Sequence, residues 1–258
     1  MCIHIAASTL KKVDRIENTK NVHIKEIRPE EFFCKEMKLY RYMSYYKLET
    51  LFQNGDLYMS NTKTITDNHE REIPESFFNG WPRDQAEHYK KLSEIINKNV
   101  FAYLSCWSTR KDDYALWKIY DSDKNGCMVE TTLGRLMEQL KLNGLVFYKV
   151  EYVGKDGEKR KYNLPAIFTE SSDGVPTLRG CEKFKRLPYE FENEVRAVLY
   201  SKSNAKGILV GVDVGKLIIG AMYNPLSTEE DQRKVERLIH SKMPELEIEN
   251  SVVDETEK

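Results

Sequence analysis

Two spacings of apolar residues alternate along this chain, one of period two and one of period three to four, and their succession predicts its elements. Lys20 to Ile27 reads as an edge strand. Pro29-Glu30-Glu31-Phe32-Phe33 reads as the opening of a helical turn, with proline first and acids close behind. Lys38 to Met43 is a strand, followed by a short helix over 45–54 with Leu48, Leu51 and Phe52 on one side and Gly55 at its end. Leu57 to Ser60 returns as a strand, and 61–83 is polar and loop-like. A helix over 84–99 starts on Asp84 and turns Tyr89, Leu92, Ile95 and Ile96 inward. Val100 to Ser108 is the clearest buried strand of the first half.

The second half repeats the alternation. Residues 113–121 form a short helix, and Asn125-Gly126 turns the chain into a strand from Cys127 to Thr131. Thr132 to Leu142 has helical period, and Leu145 to Val153 alternates as a strand. Residues 154–188 are charged and irregular. Gly207 to Val212 and Lys216 to Met222 are strands. Ser227 to Met243 is an amphipathic helix with a capping box of Ser227 and Glu230, and Glu247 to Val253 closes the chain as a strand. Helices fall between strands throughout, which points to a single mixed α+β domain over 37–253, with an N-terminal extension over 1–36 and a tail over 254–258.

The run from Phe191 to Tyr200 stands out among the strands. It has no glycine or proline, and alternation puts Phe191, Val195, Ala197 and Leu199 on an apolar face. The other face then carries Glu192, Glu194 and Arg196, so charges project from a strand rooted in the core. Either they do chemistry or they form a structural ion pair.

Composition narrows the choices. With 258 residues, 40% of them hydrophobic, the chain can bury an ordinary core. Its formal net charge of −1 gives no overall field toward nucleic acid or anionic lipid. The five cysteines form no CxxC pair and lie at no metal-ligand spacing, which reads as reduced intracellular thiols. No run reaches the length of a membrane span, no signal peptide is recognisable, and a cytoplasmic protein is expected.

Four clusters carry candidate chemistry. Arg41 points away from Tyr40 and Tyr42, and its planar fork of donors suits a phosphate or carboxylate; the structural alternative is a salt bridge to Glu192 or Glu194. Ser105-Cys106-Trp107-Ser108 ends an apolar strand with two hydroxyls and an indole, fit to orient a polar group and stack on a ring, unless Trp107 is simply core. Cys106 has no histidine near it in sequence, which weakens it as a nucleophile. Asp67-Asn68-His69-Glu70 is too sparse for a metal site and reads as a solvated loop or cap, so no metal is expected. Glu192 and Glu194 can divide roles, one stabilising positive charge and the other handling a proton. No P-loop, GxGxxG, HExxH or GxSxG pattern occurs.

In order, Lys38-Leu39-Tyr40-Arg41-Tyr42, Leu57-Tyr58-Met59-Ser60, Leu104-Ser105-Cys106-Trp107-Ser108, Ala115-Leu116-Trp117-Lys118-Ile119-Tyr120, Gly126-Cys127-Met128-Val129-Glu130 and Phe191-Glu192-Asn193-Glu194-Val195-Arg196 resemble the prokaryotic domain-of-unknown-function 2971 family. The chain departs from that pattern at Trp107, Phe191 and Val195, none of them a charged position. The order arginine, serine, Glu-x-Glu also resembles the Arg–Ser–Glu class of ADP-ribosyltransferases. That resemblance implies a mostly antiparallel β core with flanking helices and NAD as substrate. It implies that Arg41 contacts the NAD phosphates, that Ser105 or Ser108 orders the pocket, and that Tyr42, Trp107 or Trp117 stacks on the nicotinamide. Glu194 would stabilise the oxocarbenium-like transition state and Glu192 would position the nucleophile. The implied activity is ADP-ribosyl transfer or NAD hydrolysis by a bacterial toxin or anti-phage effector, with an acceptor that is protein, nucleic acid or water and an antitoxin or defence-system partner. Two other readings stand beside it: a binding module for a nucleotide, nucleic acid or protein, and a buried ion network that only fixes strand register.

Overall fold

The computed structural model describes residues 13–16, 34–65, 73, 78–153, 168–170, 176–178 and 180–253. Its strands are β1 (Val13–Ile16), β2 (Lys38–Met43), β3 (Asp56–Asn61), β4 (Phe101–Ser108), β5 (Cys127–Thr132), β6 (Leu145–Lys149), β7 (Glu151–Val153), β8 (Phe168–Glu170), β9 (Pro176–Leu178), β10 (Phe184–Arg186), β11 (Glu194–Ser201), β12 (Gly207–Gly211), β13 (Gly220–Tyr223) and β14 (Ile248–Glu249). Between them lie helices α1 (Tyr45–Asn54), α2 (Arg83–Asn99), α3 (Tyr114–Tyr120), α4 (Leu133–Gln139), α5 (Val214–Leu217) and α6 (Glu229–His240). Ten strands form one sheet in the order β1-β12-β3-β4-β2-β5-β13-β14, with β11 on β4 and β6 beyond it. Only β1 with β12 and β13 with β14 run parallel in it. The protein is therefore a mixed α+β fold on a mostly antiparallel sheet. Two small pairs, β7 with β10 and β8 with β9, stand apart from that sheet.

The sheet forks at β4. One edge of β4 is taken over its whole length by β11, from Glu194 opposite Ser108 to Ser201 opposite Phe101. The other edge is shared. β3 pairs there at Leu104 and Tyr103, and β2 pairs at Ser108 alone, opposite Tyr40. From Ser105 to Trp107 that edge meets neither strand, so β2 and β3 diverge and leave a slot between them. Backbone groups in such a slot need partners from side chains, because unsatisfied polar groups are costly to bury.

The main core joins the two halves of the forked sheet. Leu39, Met43 and Val129 from one half pack with Leu57, Met59, Tyr103, Trp107, Val195 and Ala197 from the other. α1 adds Leu48, Leu51 and Phe52, and α6 adds Val235, Leu238 and Ile239. α1 ends on Gly55 at φ 68, a left-handed conformation that glycine adopts without strain. Gly126 is needed for a different reason. A β-carbon there would collide with the Met43 carbonyl oxygen and the Ser44 Cα. Gly126→Ala should therefore cost about 1–3 kcal/mol by forcing the backbone aside. Urea unfolding measures this, and an unchanged midpoint would show that the turn yields freely.

Several expectations shift in the structure. The strand expected from Lys216 to Met222 is in fact α5 followed by β13, because Asp213 caps a short helix by accepting from Lys216 N at 3.3 Å. α6 is capped by Thr228, which accepts from Asp231 N at 3.2 Å, so the N-cap lies one residue beyond Ser227. α2 starts at Arg83 without a side-chain cap, and Ile95, expected inside, is 57% exposed. The expected strand over 145–153 divides into β6 and β7, which pair with different partners. The closing strand is reduced to Ile248–Glu249. The edge strand over 20–27, the turn over 29–33, the 67–70 cluster and the 254–258 tail lie outside the described residues.

Candidate functional site

The run expected as one strand from Phe191 to Tyr200 is two structures. Leu187–Glu192 is a 3₁₀ turn, Asn193 follows at φ 40, and β11 begins only at Glu194. Asparagine tolerates this left-handed conformation better than most residues. Glu192 and Glu194 therefore do not share a strand face by alternation, and Phe191 packs with Tyr40, Tyr42 and Trp117 rather than beside Val195. The kink still brings the carboxylates together. Both are nearly buried, at 5% and 4% exposure, and both border one cleft.

That cleft, of about 150 Å³, follows the fork in the sheet. Tyr40 and Tyr42 of β2 border it with Leu116 and Tyr120 of α3. Tyr58 and Ser60 of β3 border it with Lys47, Thr64 and Ile65. From β4 come Cys106, Trp107 and Ser108, and from β10, the turn and β11 come Lys185, Glu192, Glu194 and Arg196. Arg41 spans the slot. One guanidinium nitrogen donates to Ser105 Oγ at 3.2 Å and the other to the Tyr58 carbonyl at 3.1 Å. The same guanidinium lies 5.6 Å from the centre of the Trp107 ring, within cation–π range.

Lys185 was not foreseen as a site residue, and it ties the acids together. Its ammonium contacts Glu192 Oε2 and lies 3.5 Å from Glu194 Oε2, with the Tyr189 ring 4.8 Å away. Arg196 donates to Glu194 Oε2 at 2.9 Å and to the Glu182 carbonyl at 2.6 Å. The ion pairs of the two acids are thus with Lys185 and with Arg196 of their own run, and neither acid pairs with Arg41. No sequence spacing points to Lys185, which sits in a three-residue strand inside a charged stretch.

The other expected site residues separate into two groups. Arg41, Tyr42, Trp107, Ser108, Glu192 and Glu194 border the cleft. Ser105 and Trp117 do not. Ser105 is fully buried and accepts from Trp107 Nε1 at 3.0 Å as well as from Arg41, so it orients those two side chains. Trp117 is buried edge-on behind Tyr42 at 4.8 Å, with its Nε1 donating to Asp112 Oδ1 at 2.9 Å. It cannot stack on a ligand from there. Ser108 also works structurally: its hydroxyl donates to the Glu192 carbonyl at 2.7 Å and accepts from Arg110 N at 3.0 Å.

The environments of the two acids push them apart. Burial raises the Glu192 carboxyl above its ordinary value, and the neighbouring Glu194 charge adds to this. Burial acts the same way on Glu194, but Arg196 and Lys185 more than offset it and hold that carboxyl at about 2. Lys185 is kept protonated because the acids outweigh its burial. Cys106, which hydrogen-bonds Glu194, has its thiol raised well above the usual range by burial and by that charge, which makes it a poor nucleophile.

These shifts give stability opposite slopes on the two sides of the ordinary value, 4.5. Below it, the unfolded chain holds the Glu194 proton more tightly, so the stabilisation from Glu194 is lost as pH falls toward about 2. Above it, the folded chain holds the Glu192 proton more tightly, so stability falls as pH rises through the Glu192 value. Urea unfolding stepped from about pH 3 to 8 should show a contribution that peaks between these limbs. Glu192→Gln should flatten the upper limb, and an unchanged limb would reject the assignment.

Among the described residues no group of three or more His, Cys, Asp or Glu could hold a metal ion, and no helix is long and apolar enough to cross a membrane. What the cleft offers is a guanidinium braced across a strand fork, tyrosine rings, and two acids of different proton affinity. Comparison of the chain with protein-family models, with characterised proteins and with solved structures finds no match, so the cleft must be interpreted from its own residues.

Proposed function

We propose that this chain cleaves the nicotinamide–ribose bond of NAD, as an ADP-ribosyltransferase or NAD glycohydrolase of the Arg–Ser–Glu kind that its sequence resembles. The observation that carries this reading is convergence: Arg41, Trp107, Glu192 and Glu194, distant in sequence, border one cleft, with Ser105 bracing Arg41 from behind. The cleft has four basic side chains, Arg41, Lys47, Lys185 and Arg196, against two acids, which suits a ligand that carries phosphates. Tyrosine rings give apolar faces for its heterocycles.

The chemistry fits the acids. Breaking the N-glycosidic bond develops positive charge at the ribose C1′ while the pyridinium ring becomes neutral. Glu194, ionised throughout the physiological range and fixed by Arg196, supplies a preorganised negative charge for that transition state. Glu192, with its higher proton affinity, suits the proton of the incoming nucleophile.

A second reading has its own observation. Both carboxylates are already engaged by Lys185 and Arg196, so the cleft can hold an anionic nucleotide without turning it over. One experiment separates the two. Purified chain mixed with NAD releases nicotinamide under the first reading, whereas the second gives saturable binding with NAD intact. Under either, Arg41→Lys should weaken binding at least about tenfold, since an ammonium cannot span Ser105, the Tyr58 carbonyl and a phosphate together. Calorimetric titration measures this, and wild-type affinity in that variant would remove Arg41 from the binding site.

A further inference from the structure

Resting on the NAD-cleaving reading, we infer that the acceptor in this cleft is water, so that the chain hydrolyses its dinucleotide instead of modifying a macromolecule. Two features of the acid nearest the acceptor lead there, one of access and one of charge.

The access to Glu192 is narrow. Its side chain is 6% exposed and that of Lys185 is 10% exposed, with the lysine packed on the Tyr189 ring. Ser108 fixes the Glu192 backbone through its carbonyl, and the residue is held in a turn between β10 and β11. A protein side chain or an extruded base would have to enter the cleft and reach a carboxylate with little exposed surface, whereas water, the smallest acceptor, needs the least room.

The charge at this position disfavours a cationic side chain as acceptor. An incoming arginine or lysine would approach a carboxylate whose Oε2 already holds an ammonium, with the Arg196 guanidinium on the neighbouring acid. Like charges brought together in a buried site repel strongly. A neutral nucleophile has no such barrier. Glu192 Oε1, moreover, accepts no hydrogen bond among the described residues, so one carboxylate oxygen remains to take a proton.

The reaction balances with these groups alone. A water oxygen forms the new bond to C1′ as the bond from C1′ to the pyridinium nitrogen breaks. The electron pair of that bond neutralises the ring, which leaves as nicotinamide. One water proton passes to Glu192 Oε1 and then to solvent, and ADP-ribose is the other product.

The test uses the full chain with NAD alone and with an arginine-rich protein, duplex DNA, single-stranded DNA or RNA added. Nicotinamide, free ADP-ribose and macromolecule-bound ADP-ribose are quantified in each. Water as acceptor gives nicotinamide and free ADP-ribose in equal amounts, no bound label, and a rate that the additions change by less than about twofold. Methanol, small and neutral, should divert part of the product to the methyl glycoside. ADP-ribose attached to any macromolecule, or release accelerated at least about tenfold by one, would overturn the inference while leaving NAD cleavage standing. No nicotinamide in any mixture would overturn both together.

Discussion

Glu194→Gln is expected to slow nicotinamide release from NAD by about 10²–10³-fold, the cost of removing one preorganised electrostatic contact to a transition state. It is also expected to destabilise the fold by about 3–5 kcal/mol, because it breaks a buried ion pair from one side. Glutamine keeps the shape and discards the charge. Arg196, only 1% exposed, would retain the Glu182 carbonyl but lose its carboxylate, and Lys185 would keep only Glu192. Activity and stability must therefore be measured together. Turnover should be assayed at a temperature where circular dichroism shows the variant folded. Turnover within about tenfold of wild type there would dismiss Glu194 as the electrostatic centre.

Lys185→Met should destabilise by a similar amount, about 3–5 kcal/mol, by leaving Glu192 without its buried cation. Lys185→Met with Glu192→Leu should recover much of that loss, since a well-packed apolar pair often replaces a buried ion pair at little cost. Urea unfolding of the wild type, both single variants and the double variant closes a double-mutant cycle. A coupling of at least about 2 kcal/mol is expected for groups in contact. Additive losses would mean that the ammonium and the carboxylate do not stabilise one another. The single Lys185→Met variant should also push the Glu192 carboxyl further up, because a charge that lowers it is gone.

The alternating runs were the legible part of this molecule. β2 and β4 could be placed from sequence because each is an unbroken β-rich stretch. The pairing that makes the cleft was not legible. Nothing in Lys38–Met43 says that β2 will meet β4 at a single position, since strand register is decided by contacts between distant segments. Glu192 reads as part of a strand because one left-handed residue, Asn193, does not interrupt a pattern of residue types. Trp107 and Trp117 are equivalent as residue types; the partner of the Trp117 indole, Asp112, turns it away from the cleft. Lys185 was hidden for a related reason: a three-residue strand has too few positions to show a period.

The fork in the sheet bears on how this protein can change over time. Its slot exists because two ladders diverge, and each ladder is long: β4 matches β11 over eight positions and β2 matches β5 over six. Those backbone bonds do not depend on which side chains border the slot. Replacing Tyr58, Lys47 or Glu192 would alter what is recognised or reacted upon while the opening itself persisted. A descendant could thus lose one chemistry and acquire another without passing through an unfolded intermediate. The residue bound most closely to the architecture is Arg41, whose guanidinium bridges the diverging strands, and it should be the last of the cleft residues to vary.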